Sequence, residues 1–113
     1  MSEQGARATV SAQAADGTLR AAIAGEIDLS NRAEIATSLA RAWADAGADA
    51  EAMDLDLSSV SFMDSQAIAL LHALHENLSG QRKVLRIRTG SGTPAESILA
   101  LTGMQHLLDI RDL

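Results

Sequence analysis

Ser65 is the residue whose type and position best fit a chemical modification. It follows Asp64, and the helical spacing of apolar residues begins directly after this pair. A phosphate on Ser65 would therefore meet unpaired backbone N–H groups and the positive end of a helix dipole. It would also add about −1.5 to −2 charges, enough to switch off a protein–protein contact. The plain alternative is that Asp64 or Ser65 only caps the helix.

A catalytic serine is the rival interpretation, but the sequence lacks the necessary partners. Ser65 is not set in the Gly-x-Ser-x-Gly turn of serine hydrolases. His75 lies further along the same predicted helix, about 15 Å away along the axis, so it cannot be the base. His72 and His75 share a helix face at a spacing of three, which is only half of a metal site. We therefore predict no catalytic residue, no metal and no cofactor.

Composition narrows the remaining classes of function. The 113 residues predict a single domain over 1–113, with 1–6 as a frayed terminus. The net charge of −6 argues against a nucleic-acid-binding surface and against a polybasic membrane patch. The absence of cysteine excludes disulfides and thiolate chemistry. No segment resembles a signal peptide or a membrane span, so we expect a cytoplasmic protein without membrane insertion.

Periodicity predicts strands and helices in alternation. A run of small residues predicts a weak strand over 7–14, joined by an Asp16-Gly17 hairpin turn to a strand over 18–27. Alternating apolar residues predict this second strand and further strands at 53–57 and 85–88. The spacing of Ile35, Leu39 and Trp43 predicts a helix that ends at Gly47, with Ser30 or Asn31 and Glu34 as a capping box. A second helix should run from Ser65 to Gly80. A third should begin at Pro94, and a helical turn should follow within 104–110, where the pattern leaves a last strand open.

The order β-β-α-β-α-β-α predicts an α/β fold with a small mixed β-sheet. The helical connections require parallel strands, and the alternating strands place the helices mainly on one face. Sites in such sheets gather at the carboxyl ends of the strands, here at Asp28, at Asp64-Ser65 and at 90–93. Asp28 and Ser65 become neighbours if their strands are adjacent. The only basic cluster, which we expect on a solvated sheet face, comprises Arg82, Lys83, Arg86 and Arg88.

Three sequence blocks together resemble the STAS domain of bacterial anti-sigma factor antagonists. They are Gly25-Glu26-Ile27-Asp28-Leu29, then 55–65 ending in Phe62-Met63-Asp64-Ser65, then 101–108. The blocks occur in the expected order and span nearly the whole chain. The middle block is the most specific.

This resemblance implies a regulator that works by partner switching and is not an enzyme. The unphosphorylated antagonist would bind an anti-sigma factor that is also an ATP-dependent serine kinase of the ATPase type. Phosphorylation of the matching serine, Ser65, would end the complex, and a phosphatase would reset it. The residues implied in partner binding are Asp28, Asp64, Ser65, Gln66 and Ile68.

The chain departs from the family pattern directly after the serine. It carries Gln66, Ala67, Ile68 and Ala69 and lacks both family glycines, so each alanine adds a methyl group where another backbone would approach. This favours an alternative, a STAS subunit of a lipid-trafficking membrane transport assembly without a phospho-switch. The exposed edge of the predicted sheet also leaves room for a homodimer.

Overall fold

The computed structural model describes residues 8–102 and 109–112. Within them the elements are β1 (Ala8–Ala15), β2 (Thr18–Ile27), α1 (Arg32–Ala46), β3 (Ala52–Met63), α2 (Ser65–Gly80), β4 (Val84–Thr89), α3 (Pro94–Thr102) and β5 (Asp109–Asp112). The strands form one sheet in the order β1-β2-β3-β4-β5. Only β1 and β2 are antiparallel, and every later pair is parallel. The predicted mixed sheet is confirmed, and β5 is the last strand that the sequence pattern left open.

The β1–β2 hairpin forms at the predicted turn. Asp16 and Gly17 both have positive φ angles, 55° and 78°, as a tight two-residue hairpin requires. The register runs without interruption from Ala8 opposite Gly25 to Ala15 opposite Thr18. This regular hairpin makes β1 one edge of the sheet.

The core lies between the helices and one face of the sheet, as predicted. It joins Leu19 and Ile23 of β2 to Leu55 and Leu57 of β3, all of them buried. The three helices contribute to the same cluster through Ile35, Leu39, Ala67, Leu70, Leu71, Leu78, Ala95 and Leu99. The opposite face of the sheet carries polar and charged residues, so the helices cover one side only.

Two local predictions are wrong in their details. Asn31 precedes α1, but its side chain makes no capping hydrogen bond and turns back to β2, so the predicted capping box with Glu34 does not form. The third strand extends well beyond 53–57, to Met63, because β2 stays paired with it up to Ile27, across register shifts after Ala22 and after Gly25. The predicted helical turn within 104–110 lies largely outside the described residues.

Candidate protein-binding site

Asp28 and Asp64 leave the sheet from adjacent strands. The last pair in the β2–β3 register is Ile27 with Met63, and each aspartate is the next residue along its strand. Because β2 and β3 are parallel, the segments that follow them turn into α1 and α2 at the same edge of the sheet. We call this region, formed by 26–31 and 62–68, the Ser65 edge. The predicted proximity of the Asp28 and Ser65 segments is confirmed.

Asp64 caps α2, and Ser65 is its first residue. The Asp64 Oδ1 atom accepts a hydrogen bond from the backbone N–H of Gln66 at 2.8 Å. The capping alternative is therefore correct for Asp64 but not for Ser65. The Ser65 side chain is exposed, and its hydroxyl has no hydrogen-bond partner within residues 8–102 and 109–112. Gln66 and Ile68 are half-buried beside it.

A compact hydrogen-bonded turn holds Asp28. Its Oδ1 atom accepts from the Ser30 backbone N–H at 2.9 Å and from the Ser30 hydroxyl at 2.7 Å. Asn31, only 3% exposed, accepts from the Asp28 backbone N–H at 3.0 Å and donates to the Glu26 carbonyl at 2.7 Å. The turn between β2 and α1 is thus tied to the sheet by a buried amide. This explains why Asn31 does not cap its helix.

The Ser65 edge also contains two exposed apolar side chains. Leu29 is 71% exposed, and Phe62, which pairs in register with Glu26, is 48% exposed. Large apolar side chains grouped at one exposed place are typical of a protein-binding surface. Sequence reasoning did not assign them a role. Phe62 interrupts the strand alternation, and Leu29 falls outside the helical stripe. The sequence pattern therefore contained a sign that each of these apolar side chains lies outside the core.

The third predicted segment does not reach the Ser65 edge. A Cβ atom on Gly90 would lie 3.4 Å from Ser58, in the middle of β3. The pairing of β3 with β4 ends at Asp56 and Arg88, whereas β3 continues to Met63. The loop 90–93 is therefore a plain turn, closed by the Thr93 hydroxyl donating to the Gly90 carbonyl at 2.7 Å.

The basic cluster is divided among ion pairs rather than forming one free patch. Arg86 Nε donates to Asp54 Oδ1, and Arg88 lies 3.6 Å from the other carboxylate oxygen. Asp54 is consequently 6% exposed, although it lies on the face of the sheet opposite the helices. Lys83 lies 3.5 Å from Glu51. The expectation of a solvated basic face holds for Arg82, which is exposed, whereas Lys83, Arg86 and Arg88 are half-buried.

The histidines that were weighed as a catalytic base or as metal ligands form no such site in the described structure. His72 is exposed and lies 4.0 Å from Glu76, and His75 is half-buried on the same helix; His106 lies outside the described residues. In the described part of the chain, no three or more His, Asp or Glu side chains are grouped as metal ligands would be. None of its helices combines the length and apolar character needed to span a bilayer.

Comparison with known proteins identifies the fold. The STAS domain family model matches residues 9–112. The chain belongs to the STAS domain family. Its sheet with helices on one face is similar to the crystal structure of an anti-sigma factor antagonist from Mycobacterium paratuberculosis, with a TM-score of 0.80, 24% identity, and coverage of 92% of this chain and 85% of that one.

A second structure supports the same fold. The unphosphorylated anti-sigma factor antagonist SpoIIAA matches with a TM-score of 0.73 and 16% identity, over 93% of this chain and 88% of that one. No curated protein sequence matches the chain. Membership of the STAS domain family agrees with the prediction that the domain is not an enzyme.

Proposed function

We propose that this STAS domain is an anti-sigma factor antagonist of the cytoplasm and that phosphorylation of Ser65 switches its partner binding. Its partner is an anti-sigma factor that is also an ATP-dependent serine kinase, and a phosphatase completes the cycle. The exposed Ser65 hydroxyl at the start of α2 is the observation that carries this proposal. The names of the two similar structures support it.

The Ser65 edge combines the features that such a contact needs. Leu29 and Phe62 supply apolar area that loses its water on binding. Asp28 and Asp64 are held in place by their own hydrogen bonds, so little side-chain entropy is lost when a partner docks. Gln66 and Ile68, on the first turn of α2, extend the same surface.

Phosphorylation of Ser65 would place two negative groups side by side. The Ser65 oxygen forms a bond to the γ-phosphorus of ATP, the bond from that phosphorus to the β-phosphate oxygen breaks, ADP leaves, and the hydroxyl proton passes to a base of the kinase. The phosphate then carries about −1.5 to −2 charges next to Asp64. Burying it at an interface without a matching cation is unfavourable, so the partner dissociates.

The two alanines that replace the family glycines are placed differently. Ala67 is fully buried in the core, whereas Ala69 is exposed on α2. A buried methyl group cannot obstruct a docking kinase, so only Ala69 bears on partner choice. This weakens the argument for a transport subunit without a phospho-switch, which depended on the loss of both glycines.

The proposal is tested with the candidate kinase from the same cell. The full chain is incubated with kinase and ATP, and mass spectrometry locates the phosphate. We expect modification of wild type at Ser65 and none of Ser65→Ala, with Ser61→Ala, an exposed serine of β3, as the matched control. Full modification of Ser65→Ala, or a partner that binds but never phosphorylates the chain, contradicts the switch. Capture of a membrane permease instead would favour the transport subunit.

A further inference from the structure

The outer edge of β1 is unusual for a monomeric protein. β1 is eight residues long, pairs regularly with β2 on one side, and has no paired strand among the described residues on the other. Edge strands are normally protected by charges, proline or bulges, because their free N–H and C=O groups can pair with another chain. β1 has none of these: its sequence is Ala-Thr-Val-Ser-Ala-Gln-Ala-Ala.

The occupant of this edge can be inferred from charge. The chain carries a net charge of −6, so a second copy is repelled at most surfaces. β1 contains no charged residue, which makes it a place where two copies can approach closely. Two copies of β1 paired antiparallel around Ser11 or Ala12 would extend over about 20–27 Å at the usual rise per residue.

The helix beside β1 supplies a second, self-complementary surface. A groove of about 520 Å³ lies between β1 and α1, lined on the helix side by Glu34, Thr37, Ser38 and Arg41. These residues follow helical spacing and form one stripe with an acidic end, a small polar centre and a basic end. Glu34 and Arg41 are exposed, and neither forms an ion pair with another residue of the described chain.

We propose that two copies of this chain join through β1 and α1 to form a homodimer with a continuous ten-stranded sheet. A two-fold axis perpendicular to the sheet makes the two β1 strands antiparallel and leaves both α1 helices on the same face. It places Glu34 of each copy toward Arg41 of the other. Isologous contacts of this kind are the commonest in soluble oligomers.

The spacing of the two helices agrees with this arrangement. α1 contacts both strands of the hairpin, so it lies over β1 and β2. With strands about 4.8 Å apart, a helix above the middle of this hairpin and its symmetry mate have axes about 10 Å apart. Packed helices lie 8–10 Å apart, and the small side chains of Thr37 and Ser38 allow that distance. The dimer would therefore close the groove without a change of fold.

The dimer would present its two Ser65 edges in opposite directions. The two-fold axis reverses the strand direction from one copy to the other, and the Ser65 edge lies at the carboxyl ends of β2 and β3. The two partner sites would then be far apart and could be occupied together. Dimerisation and partner binding use different surfaces, so each can be tested without the other.

The test is sedimentation equilibrium of the full chain from about 1 μM to about 500 μM. We expect a monomer–dimer equilibrium for wild type and a monomer for Ser11→Lys, which brings one lysine from each copy to the centre of the shared strand edge in either register. Ala100→Lys, at an exposed position of α3, which packs on β3 and not on the β1–α1 surface, makes the same charge change and should leave the dimer intact. Equal circular dichroism spectra confirm that both variants fold.

A charge exchange tests the two-fold geometry itself. Glu34→Arg and Arg41→Glu should each raise the dissociation constant of the dimer about tenfold, because each charge reversal alters two symmetric ion pairs. The double variant should restore the dissociation constant of wild type. A wild type that stays monomeric throughout the range overturns the proposal. So does a dimer that Ser11→Lys does not weaken, or single reversals that the double variant does not rescue. Binding of a foreign peptide strand by a monomeric chain would overturn the assignment to a second copy.

Discussion

Ile27 and Met63 form the last pair of the parallel β2–β3 register, and Asp28 and Asp64 therefore leave the sheet side by side. One aspartate is held by Ser30 and the other by the first turn of α2. Ser65 projects from this fixed frame with an exposed hydroxyl. A small rigid surface with one modifiable group is suited to a binding switch that leaves the fold unchanged.

Replacing Ser65 by aspartate should weaken partner binding without loss of the fold. A fixed negative charge at the contact costs about 1–3 kcal/mol of binding free energy because it must lose its water without a matching cation. Ser65→Ala should bind as wild type does. Calorimetric titration of the anti-sigma factor measures both variants. Equal affinities for Ser65→Asp and Ser65→Ala would argue against an electrostatic switch at this position.

The exposed apolar pair at the Ser65 edge should contribute most of the binding energy. Leu29→Ala and Phe62→Ala should each cost about 1–2 kcal/mol of binding, since each removes apolar area that the partner covers. Their thermal stability should stay close to that of wild type, because both side chains are exposed. Val84→Ala is the matched control: Val84 is 45% exposed at the opposite end of the parallel strands. A similar loss in that variant would place the contact elsewhere.

Loss of the Asp64 cap should reduce stability rather than change the architecture. Asp64→Ala leaves the Gln66 backbone N–H without its partner and should lower the free energy of unfolding by about 0.5–2 kcal/mol. Asp64→Asn, which still offers a side-chain oxygen, should retain most of that stability. Urea denaturation compares the three proteins. If the alanine variant matches wild type, the capping bond is not a stabilising contact.

Asn31 should be the most sensitive residue of the β2–α1 turn. Asn31→Ala removes two hydrogen bonds of a buried side chain and leaves backbone groups of Glu26 and Asp28 without those partners. We expect a loss of about 1–3 kcal/mol in the free energy of unfolding. Ser30→Ala, which removes an exposed hydroxyl from the same turn, should cost much less. The two variants are compared by chemical denaturation, and equal losses would contradict the role given to the buried amide.

Asp54 should be coupled to Arg86 across β3 and β4. Asp54→Ala removes the counter-charge of two arginines and should destabilise the fold by about 1 kcal/mol, a figure kept low because both arginines reach solvent. Since the same interaction is lost in each single variant, the double variant Asp54→Ala/Arg86→Ala should cost less than the sum of the two. A double-mutant cycle in urea measures this. Additive losses would show that the ion pair contributes nothing.

Sequence reasoning failed where a side chain's partner lies on another element. Alternation places Asp54 opposite the core, and it does lie there, but alternation gives no sign that Arg86 and Arg88 from the next strand cover it. Asn31 was expected to cap α1 because of its position before a helix, whereas its amide bonds to β2. The spacing of residues along the chain indicates which face of the sheet a side chain lies on. It does not indicate which side chains of a neighbouring strand contact it.

The sequence by itself determined the order of the elements, the Asp16-Gly17 turn, the apolar face of each strand and the position of Ser65 at a helix start. These features depend on residues close in the chain, whose periodicity and turn preferences act before any distant contact forms. Only the tertiary structure decided that the loop 90–93 stops beside Ser58, that Leu29 and Phe62 are exposed, and that Arg86 and Arg88 of β4 cover Asp54 of β3. Each of these follows from where strands pair and end, which is settled by packing between residues far apart in sequence.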